Sequence, residues 1–490
     1  MEKAIVGREA EKLVLNRLLR SERPEFLALY GRRRVGKTFL ITEYFESKGT
    51  LLETVGAIDT PREIQLARFG IELTGTFSTI ERDIIPQSWD EAMRLLVQAV
   101  DDLLRSRPEE KIILFFDEIP WLDSGKSGFL SALNYAWNKH FSKSRYGNVL
   151  IIICGSAASW MIEKVINSKG GLHNRVTEAI RLAPFDLEET KCYLDSRNIF
   201  LENRQIVELY LAFGGIPAYL SLVTPGLSSS QIINQLCFTS GKYLTEEFGR
   251  VFGYLFAKHQ NHIKIVRALA SAPKGLTRLE IIKKCRLPSG GDTSLFLREL
   301  EESGFVASTQ LYAKKSRGRF YRLNDEYSLF YLKWIEPAAL HTSGAIDENF
   351  WLRQSERPAW AAWAGYAFEN LCLKHVSKIK QFLGISGIAT KESGWRYSGD
   401  KKADERGAQV DLVIDRADKT INLCEIKFVK SEFAISSDYK RELSHKKEMF
   451  KKQTGTRSLV LLTLITSYGA RENSNYTSVV DNQLTLDCLF

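Results

Sequence analysis

Eight consecutive residues, Gly31-Arg32-Arg33-Arg34-Val35-Gly36-Lys37-Thr38, fit the pattern G-x-x-x-x-G-K-[ST] in full. They follow the apolar run Phe26-Leu27-Ala28-Leu29-Tyr30 and lead into a helix-like stretch from Phe39 to Phe45. Strand, glycine loop and helix in that order form a phosphate site, because the loop's N–H groups and the helix N-terminus converge on one anion. Gly31 to Phe39 are therefore the candidate nucleotide-contacting residues. Lys37 can reach the β and γ oxygens of ATP, and the Thr38 hydroxyl can hold Mg²⁺.

At 490 residues the chain exceeds one ordinary core, and about three domains is the expectation from length. A hydrophobic share of 44% with 26% charged residues excludes a disordered chain. The formal charge of +9 favours an anionic partner such as nucleic acid. The seven cysteines are scattered without a C-x-x-C pair and read as reduced thiols. The start of the chain is charged and the longest apolar runs, Val149 to Cys154 and Ile112 to Phe116, are strand-sized. A cytoplasmic protein without a membrane span is expected.

From Val6 to about Phe185, helix-like and strand-like segments alternate as in a parallel α/β sheet. Ser88-Trp89-Asp90-Glu91 is a capping box ahead of apolar residues at helical spacing. The strands Ile112 to Phe116 and Val149 to Ile153 are apolar at every position, as strands covered on both faces must be. Residues 186–256 read as a helical lid broken at Gly214-Gly215-Ile216-Pro217. Residues 257–330 read as three helices and a hairpin, Phe305 to Tyr312 and Arg319 to Leu323, the pattern of a winged helix. After an aromatic-rich connector, 331–360, residues 361–490 read as a helix (Tyr366 to Val376), a weak strand (Ile385 to Thr390), two strands (Val410 to Ile414, Ile421 to Ile426), a helix (Asp438 to Lys452) and a strand (Leu459 to Ile465).

The strand Ile112 to Phe116 ends in Asp117-Glu118, the form of a Walker B element. Asp117 would hold Mg²⁺ and Glu118 would act as base toward the attacking water. Ser156, at the tip of the next buried strand, could sense the γ-phosphate or could cap a helix. Arg175 and Arg181 are candidate charge-stabilising fingers, with surface ion pairing as the alternative for each.

These residues resemble the archaeal-type branch of the AAA+ ATPases, near the initiator-like and STAND-type proteins. Val6-Gly7-Arg8-Glu9, the phosphate loop, Phe116 to Leu122, Cys154-Gly155-Ser156, Arg175, Pro184-Phe185 and Gly214 to Pro217 carry the resemblance. It implies that Val6, Gly7 and Arg8 lie near the adenine and that Arg175 acts on its own subunit's nucleotide or on a neighbour's in a homo-oligomer. The lid turn offers no obvious sensor arginine, a departure from the family pattern.

A second site is expected from Asp411, in Gln409-Val410-Asp411-Leu412-Val413-Ile414, and from Cys424-Glu425-Ile426-Lys427. Alternation puts Glu425 and Lys427 on one strand face, and a hairpin would bring Asp411 to that face. Two hard oxygen ligands, Asp411 and Glu425, beside an ammonium suit Mg²⁺-assisted phosphodiester hydrolysis. The element order around them resembles the PD-(D/E)XK nuclease fold. That resemblance implies a catalytic role for Glu369 on the first helix and notes Lys447 on the helix after the motif. The family's proline is absent, since Val410 precedes Asp411.

Lys314, Lys315, Arg317, Arg319 and Arg322, with Tyr312, Phe320 and Tyr321 interleaved, form a basic wing that can lie along a phosphate backbone or merely pack domains together. The fold class expected is α/β: a P-loop NTPase sheet with helical lid, a winged helix and a restriction-endonuclease-like domain. The expected function is an ATPase that acts on DNA and couples ATP or ADP occupancy to a nuclease-like domain. The alternative is a STAND-like switch or scaffold that binds DNA or a partner without cutting.

Overall fold

The structure, a computed structural model, describes residues 4–81, 84–125, 127–156, 158–166, 172, 174–239, 243–256, 259–312, 319–341, 349–399 and 405–490. Its two compact units are Met1–Pro184 and Phe185–Phe490.

In the first unit, strands β1 (Glu25–Tyr30), β2 (Thr50–Val55), β3 (Ile112–Asp117), β4 (Val149–Gly155) and β5 (Glu178–Arg181) form one sheet in the order β2-β3-β4-β1-β5. All its pairings are parallel. Every residue of β3 and β4 is buried, because helices cover both faces. The helix Trp89–Ser106 starts where expected: the Ser88 hydroxyl accepts from the Glu91 amide, and Trp89, Ala92, Met93, Leu96 and Val100 fill the core beside Phe116 and Phe129.

The second unit opens with helices Leu187–Asp195, Asn203–Phe213, Pro217–Leu220, Ser229–Cys237 and Tyr243–Leu255. The break at Gly214-Gly215 is a close approach of backbones. The Phe185 amide donates to the Gly215 carbonyl at 2.7 Å, and a Cβ on Gly215 would lie 1.8 Å from the Phe185 carbonyl oxygen. Next come helices His259–Ala270, Arg278–Cys285 and Gly291–Glu302 with a three-stranded antiparallel sheet, β6 (Leu276–Thr277), β7 (Val306–Gln310) and β8 (Arg319–Leu323), ordered β6-β8-β7. Lys314, Lys315 and Arg317 of the expected wing lie outside the described residues.

The aromatic-rich stretch is packed rather than extended. Trp351 is fully buried, stacked on Phe238 at 5.3 Å and set edge-on to Trp360 at 5.0 Å, with Phe330 also 5.0 Å away. This cluster holds the start of the Pro358–Lys374 helix. That helix begins earlier than the expected Tyr366, at a proline suited to a first turn.

A mixed sheet follows in the order β13-β12-β11-β10-β9, from β9 (Thr390–Tyr397), β10 (Ala408–Arg416), β11 (Thr420–Lys427), β12 (Leu459–Thr466) and β13 (Asn482–Thr485). β9, β10 and β11 pair antiparallel, whereas β11, β12 and β13 pair parallel, with the helix Ser437–Thr454 crossing from β11 to β12. The strand expected at Ile385 to Thr390 instead begins at Thr390. It is an edge strand with only Ser393, Gly394 and Trp395 buried, so its sequence carries little apolar alternation. Among the described residues, no helix is long and apolar enough to cross a membrane.

His375 ends the Pro358–Lys374 helix, its Nδ1 2.9 Å from the Leu371 carbonyl and its ring 5.8 Å from Tyr210. Burial pushes its pKa down to about 4, so the folded protein keeps it neutral. Its contribution to stability is present above pH 6.5 and lost as pH falls from there toward 4, a change of about 3 kcal/mol. Urea denaturation of the full chain at pH 7 and pH 4 is expected to show a smaller acid loss for His375→Gln than for wild type; parallel losses would contradict this role.

Candidate functional site

The parallel order sets the first site. β4 lies between β1 and β3, so its C-terminal tip falls between the loop after β1 and the carboxylates after β3. A Cβ on Gly31 would sit 2.3 Å from the Leu182 carbonyl, which explains glycine at the loop's first position. Lys37 is 5% exposed, and its ammonium donates to the Gly31 and Arg32 carbonyls at 3.1 and 3.0 Å and to the Ser156 hydroxyl at 3.0 Å. The Ser156 hydroxyl donates in turn to Glu118 Oε1 at 2.6 Å. Thr38 Oγ1 donates to Asp117 Oδ2 at 2.5 Å, and the Glu118 amide donates to Asp117 Oδ1 at 2.7 Å.

Lys37, Thr38, Asp117, Glu118 and Ser156 thus form one hydrogen-bonded group assembled from three strand ends. The hard oxygens of Thr38 and Asp117, already in contact, fit a Mg²⁺ ion beside a phosphate. Arg8 adopts left-handed backbone at the start of the helix Glu9–Leu19 and donates to the Val35 and Ala183 carbonyls at 3.1 and 2.8 Å. This seats the Val6-Gly7-Arg8 segment against the shoulder of the loop. Arg175 is directed elsewhere: its Nε donates to Asn138 Oδ1 at 3.1 Å. Arg181 lies on β5 in register with Tyr30.

The second site lies within the second unit. The β10–β11 register pairs Leu412 with Cys424, and one step further places Asp411 opposite Glu425. Both are buried, Asp411 at 9% and Glu425 at 3% exposure. With Glu369 and Lys427 they line a cavity of about 1240 Å³. Lys427 is 3.1 Å from Glu425 Oε1. Lys447, the helix lysine singled out from sequence, faces away and bonds Asp481 at 2.9 Å.

Its neighbour Lys446 donates to both Glu425 oxygens at 2.9 Å, and the Tyr439 hydroxyl donates to Oε1 at 3.0 Å. Sequence reading missed both residues. The spacing Tyr439, Glu442, Lys446 follows one helix face and could have shown them.

Charge accumulates here. Burial, then the Asp411 charge, pushes the Glu369 carboxyl up to about 8. Burial and the Glu425 charge push Asp411 up to about 6. Burial also acts to raise Glu425, but Lys446 and Lys427 outweigh it and hold that carboxyl below its ordinary value. Mutual repulsion among Glu369, Asp411 and Glu425 is what a divalent cation would relieve, and their oxygens are of the type that hold Mg²⁺. Among the described residues, however, no three His, Cys, Asp or Glu side chains gather as a metal-ligand group.

The five-stranded parallel sheet with its phosphate loop is that of a P-loop NTPase. Residues 5–223 match the family described as an ATPase domain predominantly from Archaea. That part of the chain is similar to archaeal-type P-loop ATPases, and the match supports nucleotide binding and ATPase activity. Over 427 residues the chain is 25% identical to an uncharacterized protein of Methanocaldococcus jannaschii, covering 86% of this chain and 87% of that one. Among solved structures it is similar to the Walker-type ATPase of Pyrococcus abyssi, at 18% identity over 67% of this chain and 96% of that one, TM-score 0.49. It is also similar to the ORC2 protein of Aeropyrum pernix, at 15% identity over 70% and 98%, TM-score 0.43.

Lys37→Ala is expected to weaken binding of a fluorescent ATP analogue at least about tenfold, since a charged phosphate contact is lost. Glu118→Gln is expected to keep that binding and to slow ATP turnover by about 10²–10⁴. Titration and phosphate release, measured on both variants, separate the two roles.

Proposed function

We propose that this chain is an ATP-binding and ATP-hydrolysing AAA+ protein that acts on DNA, coupling its nucleotide state to a Mg²⁺-dependent nuclease-like domain. In this reading residues 1–185 are the ATPase core, 186–256 its lid, 257–330 a winged helix, 331–360 a connector and 361–490 the PD-(D/E)XK-like domain. The observation that carries the DNA half is that Glu369, Asp411, Glu425 and Lys427 line one cavity. The three-helix unit with its small antiparallel sheet, and the antiparallel-then-parallel mixed sheet, support the domain assignments.

In ATP hydrolysis Lys37 holds the β and γ oxygens, while Thr38 and Asp117 would hold Mg²⁺. Glu118 takes a proton from the water whose oxygen bonds to the γ-phosphorus as the bond to the bridging oxygen breaks. Ser156, bonded to both Lys37 and Glu118, keeps the base aligned with the phosphate. Val6, Gly7 and Arg8 flank the adenine, and Arg175 would have to leave Asn138 to approach the nucleotide.

In the second site Asp411 and Glu425 would hold Mg²⁺, which when bound supplies positive charge to the phosphodiester oxygens. A water oxygen bonds to the phosphorus and loses a proton to solvent as the bond to the leaving oxygen breaks. Lys427 offsets the charge developing on the phosphate, and Glu369, kept protonated by burial, can donate a proton to the leaving oxygen.

A second reading, a nucleotide-dependent switch that binds DNA without cutting, is favoured by Lys446. Its ammonium already bonds both Glu425 oxygens, balancing that carboxylate without a divalent ion. Incubating the protein with supercoiled plasmid, Mg²⁺ or Mn²⁺ and ATP distinguishes the two. The nuclease reading expects nicking by wild type, a loss of about 10² or more with Lys427→Ala, and an altered rate with Lys37→Ala. Intact plasmid together with an ATP-dependent change in oligomer size by light scattering would establish the switch instead.

A further inference from the structure

The cavity over the carboxylates is built by two modules. Its floor, Asp411, Glu425 and Lys427, comes from the mixed sheet, but Arg322 enters from β8 of the three-stranded sheet. The sequence groups Arg322 with the basic wing; in the structure it lines the cavity, where its charge acts on both Glu369 and Asp411. The two sheets are joined by backbone. The Tyr312 amide donates to the Gly394 carbonyl at 2.9 Å, Leu311 bridges Gly394, and the Tyr312 ring packs 5.0 Å from Phe450. Arg322 is therefore fixed relative to the carboxylates.

Arg322 and Gln409 both line the cavity, and their buried Nε and Oε1 atoms have no hydrogen-bond partner among the described residues. Burial of such an atom without a partner is unfavourable, and a side-chain rotation at the cavity wall would let a bound group satisfy it. A guanidinium donor and an amide acceptor lining one cavity suit a phosphate oxygen on a strand that also carries sugar or base donors. Arg396 and Arg406 add positive charge to the same wall. The volume exceeds the roughly 300–1,000 Å³ of a site for one small molecule. It suits a short run of linked nucleotides. The floor carboxylates are 9% and 3% exposed, so a phosphate reaching them must come from a strand that can bend into the recess. A paired duplex, stiff over about 150 base pairs, enters such a recess less readily than a flexible single strand.

We propose that this cavity holds one unpaired nucleic-acid strand, with a phosphate held by Arg322 and Lys427 beside the carboxylate floor. The hydrolytic site is then composite, the small three-helix module supplying the phosphate-holding arginine. This deepens the nuclease reading above and rests on it for the fate of that phosphate, although the binding itself needs no cleavage.

Fluorescence anisotropy of a short fluorescein-labelled single-stranded oligodeoxynucleotide and of its duplex, with the full-length protein in EDTA and without ATP, tests the clamp. Wild type is expected to bind the single strand at least about tenfold tighter than the duplex. Arg322→Gln is expected to weaken single-strand binding about tenfold, the loss of one charged hydrogen bond. It should also flatten the dependence of log affinity on log salt by about 0.7, one phosphate contact fewer. Lys419→Ala, at the exposed turn of the β10–β11 hairpin, is expected to change neither quantity.

Arg322→Lys keeps the charge but loses the planar fork, and is expected to retain the salt slope with weaker binding. It carries the test if Arg322→Gln does not fold. Equal binding of duplex and single strand, or Arg322 variants indistinguishable from Lys419→Ala, would overturn the proposal. Wild type that, with Mg²⁺ or Mn²⁺ restored, leaves the single-stranded oligonucleotide uncut yet binds it through Arg322 would remove the nuclease reading alone.

Discussion

Parallel pairing of β1, β3 and β4 is the constraint on which the nucleotide chemistry depends. Parallel strands finish at the same edge of a sheet, so the residues following each strand meet there whatever their separation in sequence. Lys37 and Ser156 are 119 positions apart and Thr38 and Asp117 are 79 apart, yet both pairs are hydrogen-bonded. The apolar interiors of these strands leave nowhere else for a lysine, a serine and two carboxylates to go. The buried strands thus determine where the polar chemistry sits.

Antiparallel pairing does the corresponding work in the second unit. A hairpin brings Asp411 opposite Glu425 through register alone. Once two carboxylates and Glu369 share a buried space, their repulsion must be met by positive groups, and Lys427, Lys446 and Arg322 arrive from three different elements. The cavity is a compromise in charge as much as in shape. A carboxylate cluster with too few cations would protonate, and Glu369 is the member in which burial and repulsion prevail.

Legibility in the sequence followed the range of the signal. The phosphate loop, the Walker B strand and the capping boxes are local patterns, and the structure places each element close to where the pattern puts it. Strand β9 was displaced because an edge strand needs little apolar alternation. The aromatic residues of 331–360 carry no periodicity that shows their partners, and only the fold packs Trp351 against Phe238 and Trp360. Lys447 rather than Lys446 was singled out because one residue on a helix turns the side chain by about 100°, and the motif alone does not set the helix's phase.

By itself the sequence determined where the G-x-x-x-x-G-K-[ST] loop sits between strand and helix and that Glu425 and Lys427 share a strand face, since loop pattern and alternation act over a few residues. Only the tertiary structure decided that Ser156 bridges Lys37 to Glu118, that Arg175 bonds Asn138, and that Arg322 turns from the wing toward Asp411. Those outcomes depend on strand order, helix phase and the docking of one sheet on another. Each is set by the burial of apolar surface far from the polar residues concerned, and so leaves no mark in their immediate sequence.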